Sequence, residues 1–129
     1  MNVHQTTKRI LVIDDDPVII KLAETRLRAH GYQVLTSCDA PEGLEKAMKQ
    51  KPDLIILDVM MPIVNGFNFC RLLKTHHEHK GIPVILLTSR TSEQDRRIGE
   101  EVGANAYLTK PINMDLLLTT IKELMGEGL

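Results

Sequence analysis

Asp14, Asp15 and Asp58, the Thr88 hydroxyl and the Lys110 ammonium each follow or close a short apolar run: Ile10–Ile13, Leu54–Leu57, Pro83–Leu87 and Tyr107–Leu108. If those runs are parallel strands, all of these groups gather at one edge of one sheet, where open α/β sheets place their ligands. Carboxylates ending neighbouring strands about 5 Å apart repel by about 3 kcal/mol per pair at an effective dielectric near 20. Lys110 brings one positive charge, which leaves the cluster short of cation. Oxygen-only donors with few protein ligands suit Mg²⁺, and the chain carries no Cys/His set for zinc. A divalent ion beside a carboxylate, with a lysine and a threonine hydroxyl, can bind the three oxygens of a phosphoryl group. The carboxylate facing that group is then a candidate nucleophile.

The elements that must position these residues are marked in the sequence. Apolar runs rich in Ile, Leu and Val alternate five times with longer amphipathic stretches, with no low-complexity linker between units. Near-continuous apolar strands such as Leu54-Ile55-Ile56-Leu57 suit a parallel sheet covered on both faces, and right-handed crossovers make a three-layer (βα)5 sandwich. Asp16-Pro17 offers an N-cap and a first-turn proline for a helix over about Pro17–His30, closed by Gly31 in a left-handed conformation. Asp39-Ala40-Pro41-Glu42 and Thr91-Ser92-Glu93-Gln94 have capping-box spacing, placing the starts of helices two and four. Helix three begins near Asn65-Gly66, where Gly66 supplies a turn conformation, and Asn113 starts helix five over Asp115–Met125. The run His76-His77-Glu78-His79 reads as a solvated loop rather than a metal site.

The bulk properties set limits. At 129 residues the chain is about one ordinary domain, with an ordered core expected over about 8–125 and frayed ends. Cys38 and Cys70 do not make a disulfide framework and are expected as reduced thiols. No signal peptide or membrane-length apolar run is present, so a cytoplasmic, soluble protein is expected. A net charge of −1 with interspersed signs, and only two Tyr and two Phe, argue against direct nucleic-acid or membrane binding.

The ordered set ILVIDDDP, DLIILDVMMPIVNG, PVILLTS and GANAYLTKP resembles the receiver domain of bacterial two-component response regulators. The resemblance runs from about Lys8 to Met125 and implies a flavodoxin-like, doubly wound fold with strand order 2-1-3-4-5. It further implies that Asp58 accepts a phosphoryl group from a phosphohistidine on a histidine kinase or phosphotransfer protein. Asp15 would ligate Mg²⁺ directly, Asp14 mainly through water, and the Met60 backbone carbonyl would complete the protein's share. Thr88 would hydrogen-bond the phosphoryl oxygens and Lys110 would pair with them. The Lys110–Pro111 bond is expected to be cis, and Tyr107 is the aromatic that turns inward when Thr88 moves. Met60 and Arg90 occupy the positions that tune phosphoryl lifetime, and neither activates water in an obvious way.

One branch of that family dimerises through an acid just before the aromatic and bases on helix five. Here the segment reads Asn105-Ala106-Tyr107, and Lys122 is the only base on helix five, so that dimer is not expected. The protein acts alone, or it is a receiver from a longer chain with an output domain. On helix one, a core stripe through Ile19, Leu22, Ala23 and Leu27 leaves Ile20 exposed beside the acids as a partner contact. On helix five, Leu116 and Leu118 extend beyond the Leu117, Ile121, Leu124 stripe and suggest a second contact surface.

Two other readings compete. A haloacid-dehalogenase-like phosphohydrolase would use Asp14 as nucleophile, with Thr88 and Lys110 as its second and third motifs. Its fourth, acidic motif is absent, and Asp58 is left without a role. A passive receiver-like binding module would not need the intact set of acids, threonine and lysine.

Overall fold

The computed structural model describes residues 7–61, 64–89 and 92–126. Five strands, β1 (Arg9–Ile13), β2 (Gln33–Ser37), β3 (Leu54–Leu57), β4 (Val84–Thr88) and β5 (Ala106–Thr109), alternate with five helices. The helices are α1 (Pro17–Ala29), α2 (Ala40–Gln50), α3 (Gly66–Thr75), α4 (Glu93–Glu101) and α5 (Met114–Leu124). All strands run parallel in the order β2-β1-β3-β4-β5, the flavodoxin-like arrangement expected.

The period-two pleat sorts the apolar strands into two cores. Leu11, Ile13, Ile55, Leu57, Val84 and Leu86 face one side, packed with Ala40 and Ala47 of α2, Phe69 and Leu73 of α3, and Ile98 of α4. Ile10, Val12, Leu54, Ile56, Ile85 and Leu87 face the other, against Ala23 and Leu27 of α1 and Leu117 and Ile121 of α5. Each Val, Leu, Ile or Phe side chain among them, removed from water, contributes about 1.5–3 kcal/mol. Cys70 lies in the first core, where burial pushes its thiol up to about 11, while Cys38 is exposed. No described helix is long and apolar enough to cross a membrane.

The helix starts follow the capping chemistry. Asp16 Oδ1 accepts from the Val18 amide at 2.9 Å, and Asp39 Oδ1 from the Glu42 amide at 2.7 Å. Asn65 and Asn113 cap α3 and α5, and Gly31 follows α1 at φ +90°. The α4 cap is Ser92, whose hydroxyl accepts from the Asp95 amide and donates to the Asp95 carboxylate. Thr91 and Arg90 lie outside the described residues.

Four expectations are corrected. Ile20 is half-buried and packs on the second core, whereas Val18 is 69% and Leu22 42% exposed. The buried face is set by residues 20, 23 and 27, spaced i, i+3, i+7, which turns Leu22 outward. On α5, Leu118 is buried, one helical turn from Met114 and Ile121, and only Leu116 of the proposed pair is exposed. His79 is buried rather than solvated: its Nε2–H donates to the Met48 carbonyl at 3.2 Å, satisfying one of the free carbonyls at the end of α2. Gly66 has no left-handed backbone; its requirement is close approach, described below.

Candidate functional site

The sheet ladder continues one residue past β1 and β3, which fixes the acids. In register, Ile13 pairs with Leu57, and beyond them the Asp14 amide donates to the Ser37 carbonyl and the Asp58 amide to the Ile13 carbonyl, both at 3.1 Å. Asp14 and Asp58 are only 2% and 6% exposed, while Asp15 faces solvent. Oxygens of Asp14, Asp15 and Asp58 all lie within 4.8 Å of one another. This cluster can chelate a divalent cation, and its hard oxygen donors fit one.

Lys110 closes the cluster from the far side. Thr88 pairs with Thr109 at the end of the β4/β5 ladder, and the Lys110 amide donates to the Thr88 carbonyl at 2.8 Å. The Lys110–Pro111 bond is cis, as expected. From there the Lys110 Nζ reaches Asp14 Oδ2 at 2.8 Å and Asp58 Oδ2 at 3.2 Å. The other oxygens take backbone amides: Asp14 Oδ1 from Asp16 at 2.9 Å, Asp58 Oδ1 from Met60 at 3.1 Å. Thr88 is fully buried at the same edge.

The charge balance shows in the ionisation. Burial holds the Asp14 carboxyl above its ordinary range, helped by the neighbouring Asp58 charge, and outweighs the lowering by Lys110 and the Asp16 amide. Burial works against the Lys110 ammonium too, but two carboxylates outweigh it and its pKa rises. One ammonium shared between two buried carboxylates is firmly held, yet does not neutralise both.

The sign of the linkage follows. The folded protein holds the Asp14 proton more tightly than the unfolded chain, so this group's contribution to stability falls as pH rises from 3.8 through the raised folded value. A divalent cation is expected to offset that loss above the window, where the carboxylates are ionised. At 100 times its dissociation constant it should add about 2.7 kcal/mol, read as a rise in melting temperature. Asp15→Asn should remove most of that gain.

Gly66 explains how α3 approaches the acids. A Cβ there would stand 2.5 Å from the Asp58 carbonyl oxygen and 2.8 Å from Val59 Cα, and the Gly66 amide donates to the Val59 carbonyl at 2.9 Å. Tyr107, half-buried on β5, lies under α4. The Arg96 guanidinium sits 5.2 Å from its ring centroid, and Gly99 leaves the space its ring edge occupies. Sequence reading missed Arg96 and Gly99; a glycine inside a short helix was the available signal.

A doubly wound sheet with buried carboxylates ending its central strands and a lysine across from them defines an α/β protein whose acidic sheet edge can take a divalent cation. A family model described as "Response regulator receiver domain" matches residues 10–122, and the chain belongs to that family. It is 38% identical over 118 residues to Protein PilH of Pseudomonas aeruginosa, covering 92% of this chain and 98% of that one. It is 43% identical over 116 residues to the response regulator PleD of Caulobacter vibrioides, covering 90% of this chain but 26% of PleD, about a quarter of its length. Among solved structures, a receiver domain of a Pseudomonas aeruginosa sensor histidine kinase, with a magnesium ion coordinated in its active site cleft, superposes with a TM-score of 0.86. That match is 28% identical and covers 95% of this chain and all of the other. Family membership makes this chain a receiver domain of the phosphorylation-based signalling kind rather than the phosphohydrolase that would use Asp14.

Proposed function

We propose that Asp58 is the phosphoryl acceptor, supplied by a phosphohistidine on a histidine kinase or phosphotransfer protein in the cytoplasm. The observation that carries this is the Lys110 Nζ held between the buried Asp14 and Asp58 carboxylates. An Asp58 oxygen attacks phosphorus as the bond from phosphorus to the donor imidazole nitrogen breaks, and the imidazole leaves with the electron pair. Asp14, Asp15, Asp58 and the Met60 carbonyl would hold Mg²⁺. When bound, this ion supplies charge for the phosphoryl oxygens. Lys110 would pair with a phosphoryl oxygen, Thr88 would hydrogen-bond another, and Tyr107 would turn inward as Thr88 moves.

The output is a shift in population of the α4, β5 and α5 surface, read by a downstream protein or an output domain. A donor protein would meet the exposed Val18 and Leu22 of α1 together with the half-buried Ile20. The test supplies Mg²⁺ and a small acyl phosphate, then maps alkali-labile phosphoryl adducts by mass spectrometry. An adduct on Asp58 is expected; an adduct on Asp14, or none, overturns the assignment.

A further inference from the structure

The α4 residues facing Tyr107 pair a large cation with an absent side chain. Arg96, half-buried, places its guanidinium carbon 5.2 Å from the Tyr107 ring centroid, and its Nη1 donates to the Tyr107 carbonyl at 3.4 Å. One turn on, a Cβ at Gly99 would meet the ring Cδ2 at 2.9 Å, so the ring edge rests where any other residue would put a side chain. The aromatic face is thus covered by a cation and its edge is seated against bare helix backbone.

We infer that Arg96 is a positioning residue of the switch: with Gly99 it forms a seat on α4 that holds the Tyr107 ring against the helix. This role rests on the proposed inward turn of Tyr107. On this reading the ring position seen here, against α4 and on the first core, is that of the unphosphorylated protein. A ring that turns away from it leaves both contacts, whereas the bond from Arg96 to the Tyr107 carbonyl involves backbone and does not require the ring. Arg96 therefore opposes the phosphorylated conformation. By linkage, weakening the seat favours every ligand that selects that conformation.

A cation over a tyrosine at a partly exposed site shifts such an equilibrium by about two- to fivefold. The test uses beryllofluoride with Mg²⁺, a mimic of the acyl phosphate, on the full chain. Fluorotyrosine labelling gives two resonances, since the chain has two tyrosines, and Tyr32 in the other core serves as the reference. Arg96→Met keeps the stem and helix propensity and removes the charge. It is expected to tighten beryllofluoride binding about two- to fivefold and to move the Tyr107 resonance toward its saturated position before ligand is added.

Gly99→Ala, which raises helix propensity but fills the seat, is expected to act in the same direction, separating the seat from helix stability. Both effects on affinity should vanish in a Tyr107→Ala background. Unchanged affinity and ring resonance in Arg96→Met, or an effect that persists without Tyr107, overturns the role of Arg96 and leaves the proposed function standing. Failure of the wild-type protein to bind beryllofluoride overturns the proposed function and this role with it.

Discussion

Asp58→Asn is expected to lower phosphoryl incorporation from a small acyl phosphate by on the order of 10³-fold or more, because an amide oxygen is a poor nucleophile and carries no charge. Position 58 is otherwise suited to the substitution. The amide oxygen can still accept from the Lys110 ammonium, while its NH2 cannot accept from the Met60 amide, so the variant loses that one hydrogen bond at a cost the fold should survive. The variant should also lose one of the charges that hold the Asp14 carboxyl high. Its stability in the absence of divalent cation should therefore fall less steeply with rising pH than that of the wild type. Incorporation at the wild-type rate would remove Asp58 from the chemistry; a globally unfolded variant would be visible by circular dichroism and is not expected.

Gly66→Ala is expected to cost about 3 kcal/mol, the upper end for overpacking, or roughly 10 °C in melting temperature for a chain of this size. The new methyl would meet the Asp58 carbonyl oxygen and Val59 Cα, both backbone atoms of the segment that carries the acceptor. Neither can rotate away as the end of a flexible side chain would. Either α3 lifts from the sheet or Asp58 moves, so the cation-dependent gain in stability should shrink together with the melting temperature. Gly81→Ala is the control, since a Cβ there meets nothing within 4 Å, and it should change stability by less than about 0.5 kcal/mol.

Sequence alone carried the strands, because buried parallel strands are apolar on both faces and announce themselves without periodicity. It carried the acids for the same reason: each stands where a run of Ile and Leu stops. Asp16 was separable from Asp14 and Asp15 by the proline that follows it, and the structure shows it capping α1. The rotation of α1 was not legible. Ile19, Ile20, Leu22 and Ala23 are all apolar, so the stripe is wider than the buried face and its centre is chosen by contact with the sheet.

His79 was misread because its burial depends on the Met48 carbonyl, 31 residues earlier, and no local pattern encodes that distance. The seat under Arg96 and the approach at Gly66 are likewise tertiary facts. A glycine in the sequence says only that a side chain is missing, not what occupies its place.

The acids differ from the lysine in how they are mounted. Asp14 and Asp58 are fastened by their own amides to the sheet and by their carboxylates to nearby amides, so they behave as fixed fittings on a stiff frame. Lys110 is clamped at its backbone but spans to both acids on a four-carbon arm. The site therefore has one compliant member among rigid ones. A newly arrived charge can first be met by swinging that arm, while the acids stay where the sheet holds them.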